Sequence, residues 1–138
     1  MGRREIGPEA AANHEREATA FERTLSTVSI ANKLLFVADL PGRVHCLDAE
    51  TGRCHWVHDC GADAWSSTFA AGGKVFLGTR KSLCVLAAEP QKKVLGNIVL
   101  GSQIRSTPAA ANGVLYVASQ RYLWAVAPEA TAARTPPP

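Results

Sequence analysis

Six residues with chemistry to offer crowd into positions 45 to 60: His45, Cys46, Cys54, His55, His58 and Cys60. Thiolates and imidazoles are ligands for zinc and copper, and a Cys beside a His is the pairing that nucleophilic catalysis uses. The spacing fits no established zinc pattern, with neither Cys-x-x-Cys nor His-x₃-His present. Neighbours along a strand, such as His45 and Cys46, point to opposite faces, so the six cannot converge. No third group orients a Cys–His pair, which sets nucleophilic catalysis aside. These residues read as buried free cysteines with histidines at strand edges. Two further chemistries stay open: a Cys46–Cys54 disulfide if the parent protein is exported, and a metal set drawn from His45, Cys46, Cys54 and Cys60.

The elements that must position these residues are short and punctuated. Apolar runs Leu34–Ala38 and Val44–Leu47 flank a break containing Pro41 and Gly42. Asp48-Ala49-Glu50-Thr51-Gly52 then supplies hairpin formers, and a further strand over Arg53–Val57 contains Trp56. The pattern returns at a spacing of about 40 residues. Ser26-Thr27 corresponds to Ser66-Ser67 and Ser106-Thr107, and Leu35–Ala38 to Val75–Gly78 and Leu115–Ala118. The loop that follows is one residue shorter in the second and third copies, placing the next strands at Val44–Asp48, Leu83–Ala87 and Leu123–Ala127. The second copy's last strand is expected over Lys93–Val99, and the third copy has none.

Four strands per repeat of this length is the arithmetic of a β-propeller blade. Stacked blades bury both faces of each sheet, which explains the near-continuous apolar runs and the small residues Ala38, Gly78 and Ala118 where sheets crowd. The expected fold is therefore all-β, a partial β-propeller of four-stranded antiparallel blades: two blades plus three strands of a third. The repeats span about 25–65, 66–104 and 105–128. Before them lies a polar leader, 1–24, suited to a frayed helix after Pro8 or to disorder, and after them a Pro-rich tail, 129–138.

Composition narrows the function classes. Of 138 residues, 46% are hydrophobic and 20% charged, as in globular domains. The net charge of +3 is spread over scattered basic pairs, a solvated surface and not a nucleic-acid footprint. No apolar run reaches the ~20 residues of a membrane span, and the N-terminus has no apolar core of a signal peptide.

The stretch CLDAETGRCHW, Cys46–Trp56, resembles the pyrroloquinoline-quinone (PQQ) type propeller repeat, in which Asp-Ala-x-Thr-Gly is followed by a strand ending in Trp. The resemblance runs over roughly residues 22–127 and is similar to the closing segment of bacterial PQQ-binding-like propeller proteins. Its second copy has lost the motif, with Ala88-Glu89-Pro90-Gln91-Lys92 in its place. Asp48, Ala49, Thr51, Gly52 and Trp56 thus form a structural repeat signature. Gly52 and Thr51 close the hairpin, Asp48 accepts turn amides, and the resemblance implies that Trp56 docks one blade on the next.

The same resemblance raises a cofactor, PQQ with calcium, as bound by quinoprotein dehydrogenases. There it implies a stacked Trp, a disulfide of adjacent cysteines and a calcium site of acidic and amide side chains. This chain has no adjacent Cys pair, and no set of its residues matches the calcium site, so the expectation is no cofactor, no catalytic residue and no enzyme. The alternative is a fragment of a PQQ-dependent alcohol or sugar dehydrogenase. Proteins with this repeat also serve as interaction scaffolds, as in outer-membrane assembly lipoproteins, which implies a structural or protein-interaction module with a protein partner. Propellers close with about 4–8 blades. The remaining blades are expected from a larger parent protein, which the resemblance would place in the periplasm or outside the cell, or from self-assembly.

Overall fold

A computed structural model describes residues 21–128. Strands β1 (Ser29–Ala31), β2 (Leu34–Ala38), β3 (Arg43–Asp48) and β4 (Cys54–Asp59) form one antiparallel sheet in chain order. A second such sheet holds β5 (Phe69–Ala71), β6 (Lys74–Gly78), β7 (Leu83–Ala87) and β8 (Val94–Ile98). The third holds β9 (Ala109–Ala111), β10 (Val114–Ala118) and β11 (Leu123–Val126). The fold is a partial all-β propeller: two four-stranded blades and three strands of another. No helix among the described residues is long and apolar enough to cross a membrane. The expected helix after Pro8 and the tail from Glu129 lie outside the described residues, but Phe21–Thr24 is not helical. That segment runs along the first sheet, where the Arg23 carbonyl accepts from the Leu40 amide at 2.8 Å.

Each sheet begins with the same two-residue hairpin. Asn32 and Lys33, Gly72 and Gly73, and Asn112 and Gly113 all have positive φ, from 52° to 77°. That is the turn whose twist matches its flanking strands, and Asn and Gly are the residues that tolerate it. The connection after β2 differs between copies. Ala38 pairs with Val44 in the first sheet, whereas Gly78 pairs with Leu83 and Ala118 with Leu123, a loop one residue shorter. A side chain closes each loop in the same way: Arg43, Ser82 and Tyr122 donate their amides to Asp39, Thr79 and Ser119 respectively. Two outer strands are displaced from their expected bounds. β4 extends to Asp59 because Arg43 pairs with it, and β8 stops at Ile98, which pairs with Leu83.

The sheets stack through strand alternation. Along β7, Cys84 and Leu86 pack with Phe36, Val44, Cys46 and Trp56 of the first sheet. Leu83 and Val85 point the other way, into a cluster with Ile104, Leu115 and Val117 toward the third sheet. Every residue of β7 is buried, so the middle sheet is covered on both faces at that strand, while its outer strand β8 stays largely exposed. At the inner strands the sequence period becomes a hydrogen-bond period. The Thr27 amide donates to Ser67 Oγ at 2.8 Å and the Ser67 amide to Thr107 Oγ1 at 2.9 Å, each link joining residues 40 apart.

Candidate functional site

The hairpin after β3 is held by its own carboxylate. Asp48 Oδ1 accepts the amides of Glu50 at 2.9 Å and Thr51 at 2.8 Å, while the Gly52 amide bonds the Asp48 carbonyl at 2.8 Å. Thr51 Oγ1 takes the Arg53 amide at 3.2 Å, and Gly52 turns the chain at φ +77°. Ala49 is fixed by its amide, which bonds the Lys33 carbonyl at 2.9 Å. The amides of Thr51 and then Glu50 hold the Asp48 carboxyl below its ordinary range. Past the turn, β4 carries Trp56 into the space between the first two sheets. Its indole is 4% exposed, tilts against Phe36 with centroids 6.0 Å apart, and donates Nε1–H to the Glu89 carbonyl at 2.9 Å. Glu89 follows β7 in the second sheet's outer turn, so one side chain links two blades by packing and by a hydrogen bond.

The set His45, Cys46, Cys54 and Cys60 is not brought together. Alternation along β3 puts Cys46 in the core toward the second sheet and His45 on the opposite face, edge-on to Phe21 at 4.9 Å. There His45 Nε2 meets Asp39 Oδ2 at 3.0 Å, and Arg43 Nη2 reaches the same oxygen at 2.8 Å. Burial pushes the Asp39 carboxyl up, but the Arg43 guanidinium and amide and then His45 outweigh it, and the net direction is down. A bulge between Cys46 and Leu47 breaks the register, so Cys46 pairs with Trp56 and Cys54 with Leu47. None of the four cysteines is joined in a disulfide. Burial, then the neighbouring Cys54, pushes the Cys46 thiol up to about 12.

Cys60 instead meets two residues outside that set. His58 on β4, Cys60 just beyond it and Cys84 on β7 place their ligand atoms within 4.8 Å of one another. Among the described residues this is the one group of three or more His, Cys, Asp or Glu so gathered. The Cys60 amide is tied to the Gly42 carbonyl at 2.9 Å, fixing the loop that carries it. The neighbouring Cys84 thiol, then burial, pushes the Cys60 thiol up, while Cys84 is shifted down by Cys60 against its own burial. Burial, then Lys92, lowers the pKa of His58, with Asp59 opposing. Linear spacing hides this group because Cys84 belongs to the next repeat. Superimposing the repeats places Cys84 one residue into the strand that faces the first blade, the one signal that could have found it.

The residues do not fit a PQQ and calcium site. The chain has no adjacent cysteines, and the gathered ligands are two sulfurs and an imidazole, where calcium takes oxygens.

Four-stranded antiparallel sheets, stacked face to face, hydrogen-bonded at a 40-residue period and joined by a Trp after an Asp-Ala-x-Thr-Gly hairpin, define a PQQ-like propeller module. A family model described as outer membrane protein assembly factor BamB matches residues 11–92, and the chain belongs to this family. A search of curated proteins finds no significant match. Among solved structures, BamB from Moraxella catarrhalis is similar, with a TM-score of 0.63 at 13% identity over 78% of this chain and 34% of that one. The chain therefore spans about a third of the length of that structure, and the likeness is one of fold.

Proposed function

We propose that this chain is a structural, protein-interaction module of PQQ-like repeats, without catalysis or a quinone of its own, that works as part of a larger propeller. The observation that supports this most is the contrast between the equivalent strands β7 and β11. In the middle sheet β7 is buried along its whole length, whereas its counterpart β11 has Leu123 74% exposed, with Tyr116, Tyr122 and Trp124 also exposed. Among the described residues no fourth strand pairs with β11. Apolar and aromatic side chains exposed on a sheet with an open edge are what the rest of the repeat array would cover. That blade comes from a longer parent chain or from a second copy.

Light scattering during size exclusion of the full chain separates these sources. A discrete closed multimer with a β-type circular dichroism spectrum shows ring completion by self-assembly. A folded monomer that binds neither itself nor an added propeller segment overturns the reading. Titration with PQQ and calcium tests the rest, since saturable quinone absorbance would replace the scaffold role with a dehydrogenase one.

A further inference from the structure

We propose that His58, Cys60 and Cys84 form a binding site for a thiophilic d¹⁰ cation, zinc(II) or copper(I), that clasps the first blade to the second. The three ligand atoms come from separate places: a strand end, the loop after it, and the central strand of the neighbouring sheet. Their mutual separations are within 4.8 Å. A tetrahedral zinc with bonds of about 2.3 Å to sulfur and about 2.0 Å to nitrogen needs ligand atoms roughly 3.5–3.8 Å apart. Closing that difference takes side-chain rotation of the half-buried His58 and Cys60, with no shift of the sheets.

The donor chemistry selects the ion. Two sulfurs and an imidazole are a soft set, suited to zinc and copper(I) and unsuited to calcium or magnesium. Binding releases the two thiol protons to solvent and forms two metal–thiolate bonds and one metal–imidazole bond. With zinc(II) the net charge of ion and ligands is zero, which a site between two apolar sheets tolerates. Asp59 and Lys92, the charged neighbours that act on both His58 and Cys60, oppose one another. Three protein ligands leave a fourth position for water on zinc, or complete a trigonal site for copper(I). A disulfide between Cys60 and Cys84 would use the two sulfurs but gives no role to the imidazole beside them. Since His58 and Cys60 are only partly buried, an ion can enter from solvent.

The test uses the full chain, reduced and freed of metal, titrated separately with zinc(II) and, without oxygen, with copper(I) against a chromophoric chelator. One ion per chain is expected, with thiolate-to-metal charge transfer on cobalt(II) substitution and a rise in unfolding temperature. Cys60→Ser should weaken binding by more than about 100-fold and abolish the thermal shift, because losing a ligand exceeds the 10–100-fold typical of an outer-shell loss. His58→Ala should behave likewise, and Cys54→Ser should bind as the parent does. Cys60→Ser lies in a loop and keeps the test open should Cys84→Ser fail to fold. Absence of stoichiometric uptake, uptake that survives Cys60→Ser, or loss of uptake in Cys54→Ser overturns the proposal. So does a Cys60–Cys84 disulfide in protein isolated without reductant, if the same protein takes up no ion once reduced.

Discussion

Replacing Trp56 by alanine removes the side chain that joins the first two blades. The indole is 4% exposed and is gathered with Phe36, Cys46, Leu77 and Leu86. Truncating a buried Trp costs about 3–5 kcal/mol in transfer and cavity terms together. The Glu89 carbonyl also loses its indole donor at 2.9 Å, a part-buried hydrogen bond worth about 0.5–1.5 kcal/mol. Trp56→Phe keeps most of the ring contact and forfeits the hydrogen bond, so it should fall near that smaller figure. Against a total stability of about 5–15 kcal/mol, the alanine variant is crippled and the phenylalanine variant is not. Thermal unfolding followed by circular dichroism measures both in whichever assembly the parent protein forms. Trp65 and Trp124 are 51% and 37% exposed, so either variant should also strip the blue edge from the fluorescence spectrum. A loss under about 1 kcal/mol for Trp56→Ala would refute the docking role. Equal losses in the two variants would mean that the hydrogen bond, and not the packed ring, carries the contact.

Two further perturbations follow from local geometry. A Cβ at Gly78 would lie 2.3 Å from Ile104 Cγ2 and 3.0 Å from its Cβ, so Gly78→Ala should cost about 1–3 kcal/mol by overpacking. Gly96→Ala, where a Cβ meets nothing within 4 Å, should stay within about 0.5 kcal/mol, and equal urea midpoints for the pair would contradict the account. Asp39 has its folded pKa depressed below the unfolded value, so its contribution is fully present above about pH 4 and is lost as pH falls through the lower folded value. Urea midpoints from about pH 5 down to pH 2 should decline for the parent protein. The decline should be shallower in Asp39→Asn, and parallel curves would show that the Asp39–Arg43–His45 group does not govern acid stability.

Much of the fold was legible in the sequence because a propeller blade is built from local pairings. Each strand pairs with its neighbour in the chain, so a tight turn between two apolar runs specifies the sheet. The Ser26, Ser66 and Ser106 period needed no knowledge of packing to be seen, and it turns out to follow the blade-to-blade hydrogen bonds of Thr27, Ser67 and Thr107. The all-apolar run of β7 was a second such sign, since only a strand covered on both faces can dispense with polar alternation. Strand ends were less legible. β4 runs on to Asp59 through pairing with Arg43, a residue that the sequence assigns to a loop.

The site escaped for the opposite reason: its contacts cross between blades. His45 and Cys46 sit side by side in sequence, yet β3 sends one to Asp39 and the other toward Glu89. Cys60 and Cys84 stand 24 residues apart, yet their sulfurs lie within 4.8 Å. Sequence proximity therefore ranked the candidate ligands wrongly, whereas the repeat period ranks them well. Val44 and Leu83 hold equivalent places opposite Ala38 and Gly78, so Cys84 occupies the second blade's counterpart of His45. In the first blade that position faces away from the second and is held by an ion pair. Cys84 likewise faces the preceding side of its own sheet, and in the second blade that side is occupied by the first blade. The same strand position thus meets Asp39 in one blade and the neighbouring blade's thiol and imidazole in the other, which is why the gathered group exists at this junction.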